Sequence, residues 1–243
     1  QLSVQRLNAM GIQPDFIVAR SQQPMDERRR ERFALFCNVK PDHIISAPNL
    51  NSVYEVPEMF ADQQFDIKVL EMLELPTWKL QLTAWKSMIK KMNSPHKFSA
   101  KIGIVGKYIA TGEYELKDSY AALHDALHHA VVDENTTLDI HWLNAQELEQ
   151  SSPKALKALL GDLDGIIVPI GWGSRGVEGK INAIKFSREN KIPYLGLCYG
   201  MQLAVVEYAR NVLGWKDANT EEVDADTKHR VIHIIPEQQR ILS

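Results

Sequence analysis

Cysteine is scarce in this chain: Cys37 and Cys198 are the only two in 243 residues, too few for a disulfide framework. Long apolar runs are missing as well. No stretch approaches the roughly 18 consecutive apolar residues that a spanning helix needs, so no passage through a membrane is expected. Nor is there an excess of positive charge. The formal net charge is −3, which argues against nucleic acid or an anionic membrane as the main partner. Residues 1–11 lack the charged-then-apolar layout of a secretion signal and do not begin with Met. Internal repeats and low-complexity tracts are absent. What is present is a 44% share of hydrophobic residues, enough to bury one large core or two modest ones. A cytoplasmic α/β protein is the expectation.

Strand-like and helix-like stretches alternate along the chain, which predicts parallel βαβ construction. In the first part, a helix is expected from Ser3 to Met10, a strand over Phe16 to Ala19, a charged helix over Asp26 to Phe36 and a strand over His43 to Ser46. A helical reading then covers Pro76 to Met92, where Trp85, Met88, Ile89 and Met92 fall on one face. Asn93-Ser94-Pro95-His96 breaks the pattern and marks a domain boundary, giving domains 1–95 and 96–243. In the second part, strands are expected over Lys101 to Gly106, Leu138 to Leu143, Leu163 to Pro169 and Pro193 to Leu197. Helices are expected over Ser119 to Val131, Ile181 to Asn190 and Met201 to Leu213. In such open parallel sheets, reactive groups collect where strands end and helices begin.

Two strand ends carry unusual residues. One leads into the glycine-bearing loop Gly171 to Gly176. The other reads Gly196-Leu197-Cys198-Tyr199-Gly200, the G-x-C-x-G form of a nucleophile elbow. A strand that turns sharply into a helix strains the backbone at the nucleophile and needs small flanking residues. The turn exposes the sulfur and aims the positive end of the next helix at it, which favours the anion. The N–H of Tyr199 then lies where an oxyanion would form. The plainer reading is a core cysteine after a buried strand. Cys37, inside the apolar stretch Phe33 to Val39 without flanking glycines, reads as an inert core residue. Arg28-Arg29-Arg30 reads as a solvated helix face with local acidic partners, and His128-His129 as a solvated or capping pair.

A wider match sharpens this picture. The run Tyr194 to Ala204 resembles the class I glutamine amidotransferases, and its continuation Val205 to Val212 resembles the CTP synthases. So do Val105-Gly106-Lys107-Tyr108, Arg175 to Ile181, and Asp217-Ala218-Asn219 leading to Glu222. In the first part, Gly11 to Asp15, Arg20-Ser21, Ala34 to Val39 and Ser52 to Pro57 resemble the synthetase domain of the same family.

The resemblance implies the C-terminal part of a P-loop-type synthetase domain with parallel sheet, followed by a flavodoxin-like class I glutamine amidotransferase α/β domain. It implies ATP-dependent amination of UTP to CTP, with ammonia released from glutamine. Cys198 would be the nucleophile, and the N–H groups of Gly171 and Tyr199 the oxyanion hole. Gly171, Tyr199, Gly200, Met201, Gln202 and Glu222 would hold glutamine. Arg175 would lie in a mobile lid linked to the activator GTP. Gln1 and Arg32 would contact UTP or the feedback inhibitor CTP, and Pro48, Asn49 and Leu50 the ATP adenine. Mg2+ would accompany ATP at a site outside this chain, and the family forms homotetramers.

The sequence departs from the family at two places. Ile170 stands where the family has the first of two adjacent glycines. If that position needs a positive φ, the Gly171 N–H is misaimed; if its φ is negative, the change is harmless. Furthermore, none of the eight histidines begins a His-x-Glu pair, which is the family's catalytic base. The chain is therefore expected to stop short of that pair and to begin beyond the ATP-binding P-loop. Two other readings stay open: a stand-alone glutaminase or γ-glutamyl hydrolase, and a non-catalytic module that kept the fold.

Overall fold

A computed structural model describes residues 1–107, 110–111, 114–115 and 120–235. Tyr108 and Ser119 fall outside the described residues. The chain separates into two compact units, Gln1–Ser94 and Pro95–Ser243.

The first unit runs α1 (Leu2–Ala9), β1 (Ile17–Ser21), α2 (Glu27–Cys37), β2 (Ile44–Pro48), α3 (Val56–Asp62), α4 (Phe65–Met72) and α5 (Thr83–Met92). Strands β1 and β2 pair in parallel from Ile17↔Ile44 to Ser21↔Pro48. Helix α2 starts where the Asp26 carboxylate accepts from the Arg29 N–H at 2.8 Å, satisfying a donor that has no partner within the helix. It ends at Asn38, whose φ of 52° places it in the left-handed region that asparagine tolerates. Val4, Ala34, Cys37, Val39 and Ile44 form its core, so Cys37 is a packing residue as expected. The Gln63 amide pairs with both the N–H and the carbonyl of Ser46, at 2.8 and 2.9 Å, and so covers an edge of β2 as a further strand would.

Three expectations change here. The helical reading from Pro76 shrinks to Thr83–Met92, because the stretch before Thr83 lacks the 3.6-residue apolar spacing that begins at Trp85. Helices α3 and α4 were not anticipated, although Pro57 near the start of α3 is a helix-start signal. Arg30 is no solvated residue: its guanidinium donates to the Ile44 carbonyl at 2.8 Å, while Arg29 pairs with Asp26 at 2.5 Å on the exposed side.

The second unit runs β3 (Phe98–Gly106), β4 (Ala110–Thr111), β5 (Tyr114–Glu115), α6 (Ala121–Ala130), β6 (Thr136–Asn144), α7 (Ala145–Glu149), α8 (Pro153–Leu160), β7 (Gly165–Val168), α9 (Val177–Asn190), β8 (Tyr194–Gly196), α10 (Tyr199–Asn211), β9 (Asn219–Thr220) and β10 (Arg230–Ile232). Its main sheet is parallel in the order β6-β3-β7-β8. The central strand β7 is buried at every position, as a run of β-branched residues covered on both faces should be. The edge strand β6 alternates half-buried and exposed residues over most of its length. Val105, Leu160, Ile166, Val168, Ile184 and Leu203 belong to one core cluster. Helices α9 and α10 are tied by Arg188, which donates to both oxygens of the buried Glu207 carboxylate at 2.8–3.2 Å. His128 lies in the last turn of α6 with its Nε2 3.1 Å from that of His124, half-buried rather than solvated.

Candidate active site

Strands β7 and β8 are neighbours, with Val168 opposite Gly196. The loops that follow them therefore emerge side by side. After β8 the chain reaches Cys198 with φ 53° and ψ −106°, a conformation that L side chains rarely adopt. Such strain persists only where the surroundings impose it, and here they do. The Leu197 N–H donates to the Val168 carbonyl at 3.0 Å, and the Gln202 N–H to the Cys198 carbonyl at 3.2 Å. Both flanking glycines are required by contact. A Cβ on Gly196 would lie 2.6 Å from the Met201 nitrogen, and one on Gly200 would lie 1.9 Å from the Val168 carbonyl oxygen. The Tyr194 hydroxyl donates to the Gly200 carbonyl at 2.8 Å; burial pushes this phenol well above its ordinary range.

Cys198 is exposed, whereas Cys37 is 1% exposed. Alkylation of Cys37 must wait for local opening, while Cys198 is reachable in the folded chain. Brief treatment with iodoacetamide and peptide mapping should label Cys198 faster by about a hundredfold or more. Comparable rates would remove the elbow assignment.

The loop after β7 reads Pro169-Ile170-Gly171-Trp172-Gly173. Gly173 and Gly176 take left-handed φ values of 82° and 75°, whereas Ile170 and Gly171 do not. The strain that a β-branched residue would suffer at Ile170 is thus absent, and the harmless alternative holds. Ile170→Gly should leave glutamine turnover within about threefold of the parent, since no left-handed residue needs relief. A gain of two decades would restore the misaimed-loop reading.

The loop rests on two buried lysines. Lys107 Nζ donates to the carbonyls of Trp172 and Gly173, and Lys180 Nζ donates to the Pro169 carbonyl at 3.1 Å. Burial lowers both ammonium groups, Lys180 to about 8. Nζ of Lys180 also lies 5.5 Å from the Tyr199 ring centroid. Across 49 residues of sequence, Glu222 Oε1 accepts from the Gly173 N–H at 2.5 Å. The Trp172 ring stands 5.3 Å from that of Tyr199. Gly171, Tyr199, Gly200 and Glu222 are therefore gathered around two adjacent strand ends. Met201 and Gln202 follow in the first turn of α10, and Arg175 precedes α9. Among the described residues, no bond to another protein group takes up the N–H of Gly171 or of Tyr199.

Sequence reasoning passed over Lys107, Lys180, Trp172 and Tyr120 as site residues. No signal in the sequence marks them: Lys180, beside Glu178 in α9, reads there as one more solvated charge. His229 Nδ1 lies 2.7 Å from the Asp217 carboxylate and its ring stacks on Trp215. Among the described residues no group of three or more His, Cys, Asp or Glu could hold a metal ion.

In the first unit, Gln1 and Arg32 line one cleft of ≈570 Å³ with Arg29 and Phe33. Pro48 and Leu50 line another of ≈500 Å³ with Arg30, Glu55 and Gln63. Asn49 is held by Arg20, whose guanidinium donates to its Oδ1 at 3.0 Å.

Both parts of the chain are similar to known proteins. Residues 1–75 match the family model described as CTP synthase N-terminus, and residues 115–240 match glutamine amidotransferase class-I. The chain is 44% identical over 241 residues to a CTP synthase of Carboxydothermus hydrogenoformans, covering 99% of this chain and 43% of that protein. It is 46% identical over 242 residues to a CTP synthase of Sulfolobus acidocaldarius, covering 100% of this chain and 44% of that protein. The chain thus spans less than half the length of these curated relatives. Among solved structures it is similar to the Trypanosoma brucei CTPS glutaminase domain with bound acivicin, at 41% identity and a TM-score of 0.50. That match covers 56% of this chain and 50% of the other. The chain belongs to the class-I glutamine amidotransferases, whose match takes up just over half of it, and it is similar over nearly its whole length to part of the CTP synthases.

Proposed function

We propose that this chain contributes the glutaminase nucleophile and part of the synthetase domain to a glutamine-dependent CTP synthase. The observation that carries this reading is Cys198: exposed, held at φ 53° between two glycines that tolerate no Cβ, and placed at the start of α10. Its sulfur attacks the glutamine amide carbon, forming a C–S bond. The negative charge that develops on the amide oxygen is met by the N–H groups of Gly171 and Tyr199. Collapse expels the amide nitrogen as ammonia, and water then cleaves the thioester to release glutamate. The protons move through the family's His-x-Glu pair, which these 243 residues do not contain. Gly200, Met201 and Gln202 line the substrate, and Glu222 suits its ammonium group.

The ammonia goes to a UTP whose O4 has been phosphorylated by ATP. Gln1 and Arg32 are assigned to UTP or to CTP as inhibitor, and Pro48, Asn49 and Leu50 to ATP. Arg175 is assigned to a lid that responds to GTP. Mg2+ would accompany ATP and offset its phosphate charge. Domains divide at 95/96, the assembly is a homotetramer and the setting is cytoplasmic. In the full-length protein, UTP and ATP should yield CTP with either glutamine or ammonium as the nitrogen source. Hydrolysis of glutamine that never aminates UTP would favour a free glutaminase instead.

A further inference from the structure

The direction of the Gly171 N–H is set by the peptide that contains it, and that peptide's other end is the Ile170 carbonyl. In a trans peptide the two point in opposite directions. The Tyr120 hydroxyl donates to the Ile170 carbonyl at 3.3 Å and accepts from the Lys107 N–H at 3.1 Å. Tyr120 is 5% exposed, so the carbonyl is drawn inward and the N–H is turned away from the core. The neighbouring peptides are fixed in the same sense. Lys180 holds the Pro169 carbonyl, Lys107 holds that of Trp172, and Glu222 takes the N–H of Gly173. Rotation of the 170–171 peptide would break its bond to the Tyr120 hydroxyl, at the cost of a hydrogen bond made away from solvent, and would bring the Ile170 carbonyl to the place assigned to the oxyanion.

We infer that Tyr120, supported by Lys180, is a positioning residue that latches the 170–171 peptide with its N–H facing the substrate. The inference rests on the glutaminase reading of Cys198. Neither residue touches the reacting atoms, so the effect should appear in turnover and not in binding. In the full-length protein, Tyr120→Phe should lower kcat for ammonia release from glutamine by about 10- to 100-fold, a part of the two to three decades that one oxyanion donor contributes. KM for glutamine should stay within about threefold, because ground-state contacts are untouched. Alkylation of Cys198 by iodoacetamide, which builds no oxyanion, should proceed at the parent rate. If Tyr120→Phe fails to fold, Lys180→Gln, which keeps a donor near Pro169 without the charge, should show the same split. A kcat within threefold of the parent, or a loss confined to KM, overturns the latch. A loss that merely follows a lower Tm also overturns it. If the parent itself releases no ammonia, the glutaminase reading fails first.

Discussion

Cys198→Ala in the full-length protein is expected to reduce glutamine hydrolysis by about four to six orders of magnitude, as removal of a covalent nucleophile does in comparable machinery. The substitution deletes only a sulfur from an exposed position. Leu203 and Val206 pack the same helix into the core without it, so stability should change little. CTP formation supported by added ammonium should persist, because amination is assigned to the other domain. A variant that lost both activities together would show that the elbow is structural. Residual hydrolysis within a factor of ten of the parent would place the nucleophile elsewhere.

Gly200→Ala is expected to be nearly as severe by a different route. Its Cβ would sit 1.9 Å from the carbonyl oxygen of Val168 and 2.8 Å from the carbonyl carbon. Val168 is fully buried in β7, and its carbonyl already receives the Leu197 N–H, so neither partner has room to move. Overpacking against fixed backbone costs about 3 kcal/mol or more. The start of α10 must shift outward, and Cys198, two residues earlier, shifts with it. A fall in Tm together with loss of glutamine hydrolysis is the expected pair of results. Gly214→Ala is the control. That glycine has φ 80° but nothing within 4 Å of its Cβ position, so only the backbone preference, about 1 kcal/mol, is at stake. Equal effects at both positions would mean that α10 does not press on β7.

The elbow was legible in the sequence because its requirements are local. A glycine, a cysteine and a glycine at fixed spacing after an apolar run state the turn, the exposed sulfur and the close approach together. The βαβ alternation was legible for the same reason, and so was the inert burial of Cys37 within the apolar stretch Phe33 to Val39. Contacts made across the chain were not. Nothing in the sequence says that Glu222 reaches the Gly173 N–H, or that Lys107 and Lys180 are buried. A lysine reads as a solvated charge until the fold supplies carbonyls for it to serve. Ile170 illustrates a further limit. Its identity raises a question about φ, and only the backbone answers it. The short helices α3 and α4 escaped because Phe60, Phe65 and Leu70 suit a strand as well as a helix, and length alone did not separate them.

The claim on which all of this depends is that Cys198 forms the covalent intermediate. The most direct measurement is to mix the full-length protein with glutamine, quench in acid within the first turnovers, digest, and map the peptides by mass. The account requires a γ-glutamyl thioester on the peptide carrying Cys198, absent from the Cys198→Ala protein and lost on incubation at neutral pH. A thioester on the Cys37 peptide, or undiminished ammonia release from Cys198→Ala, would contradict it.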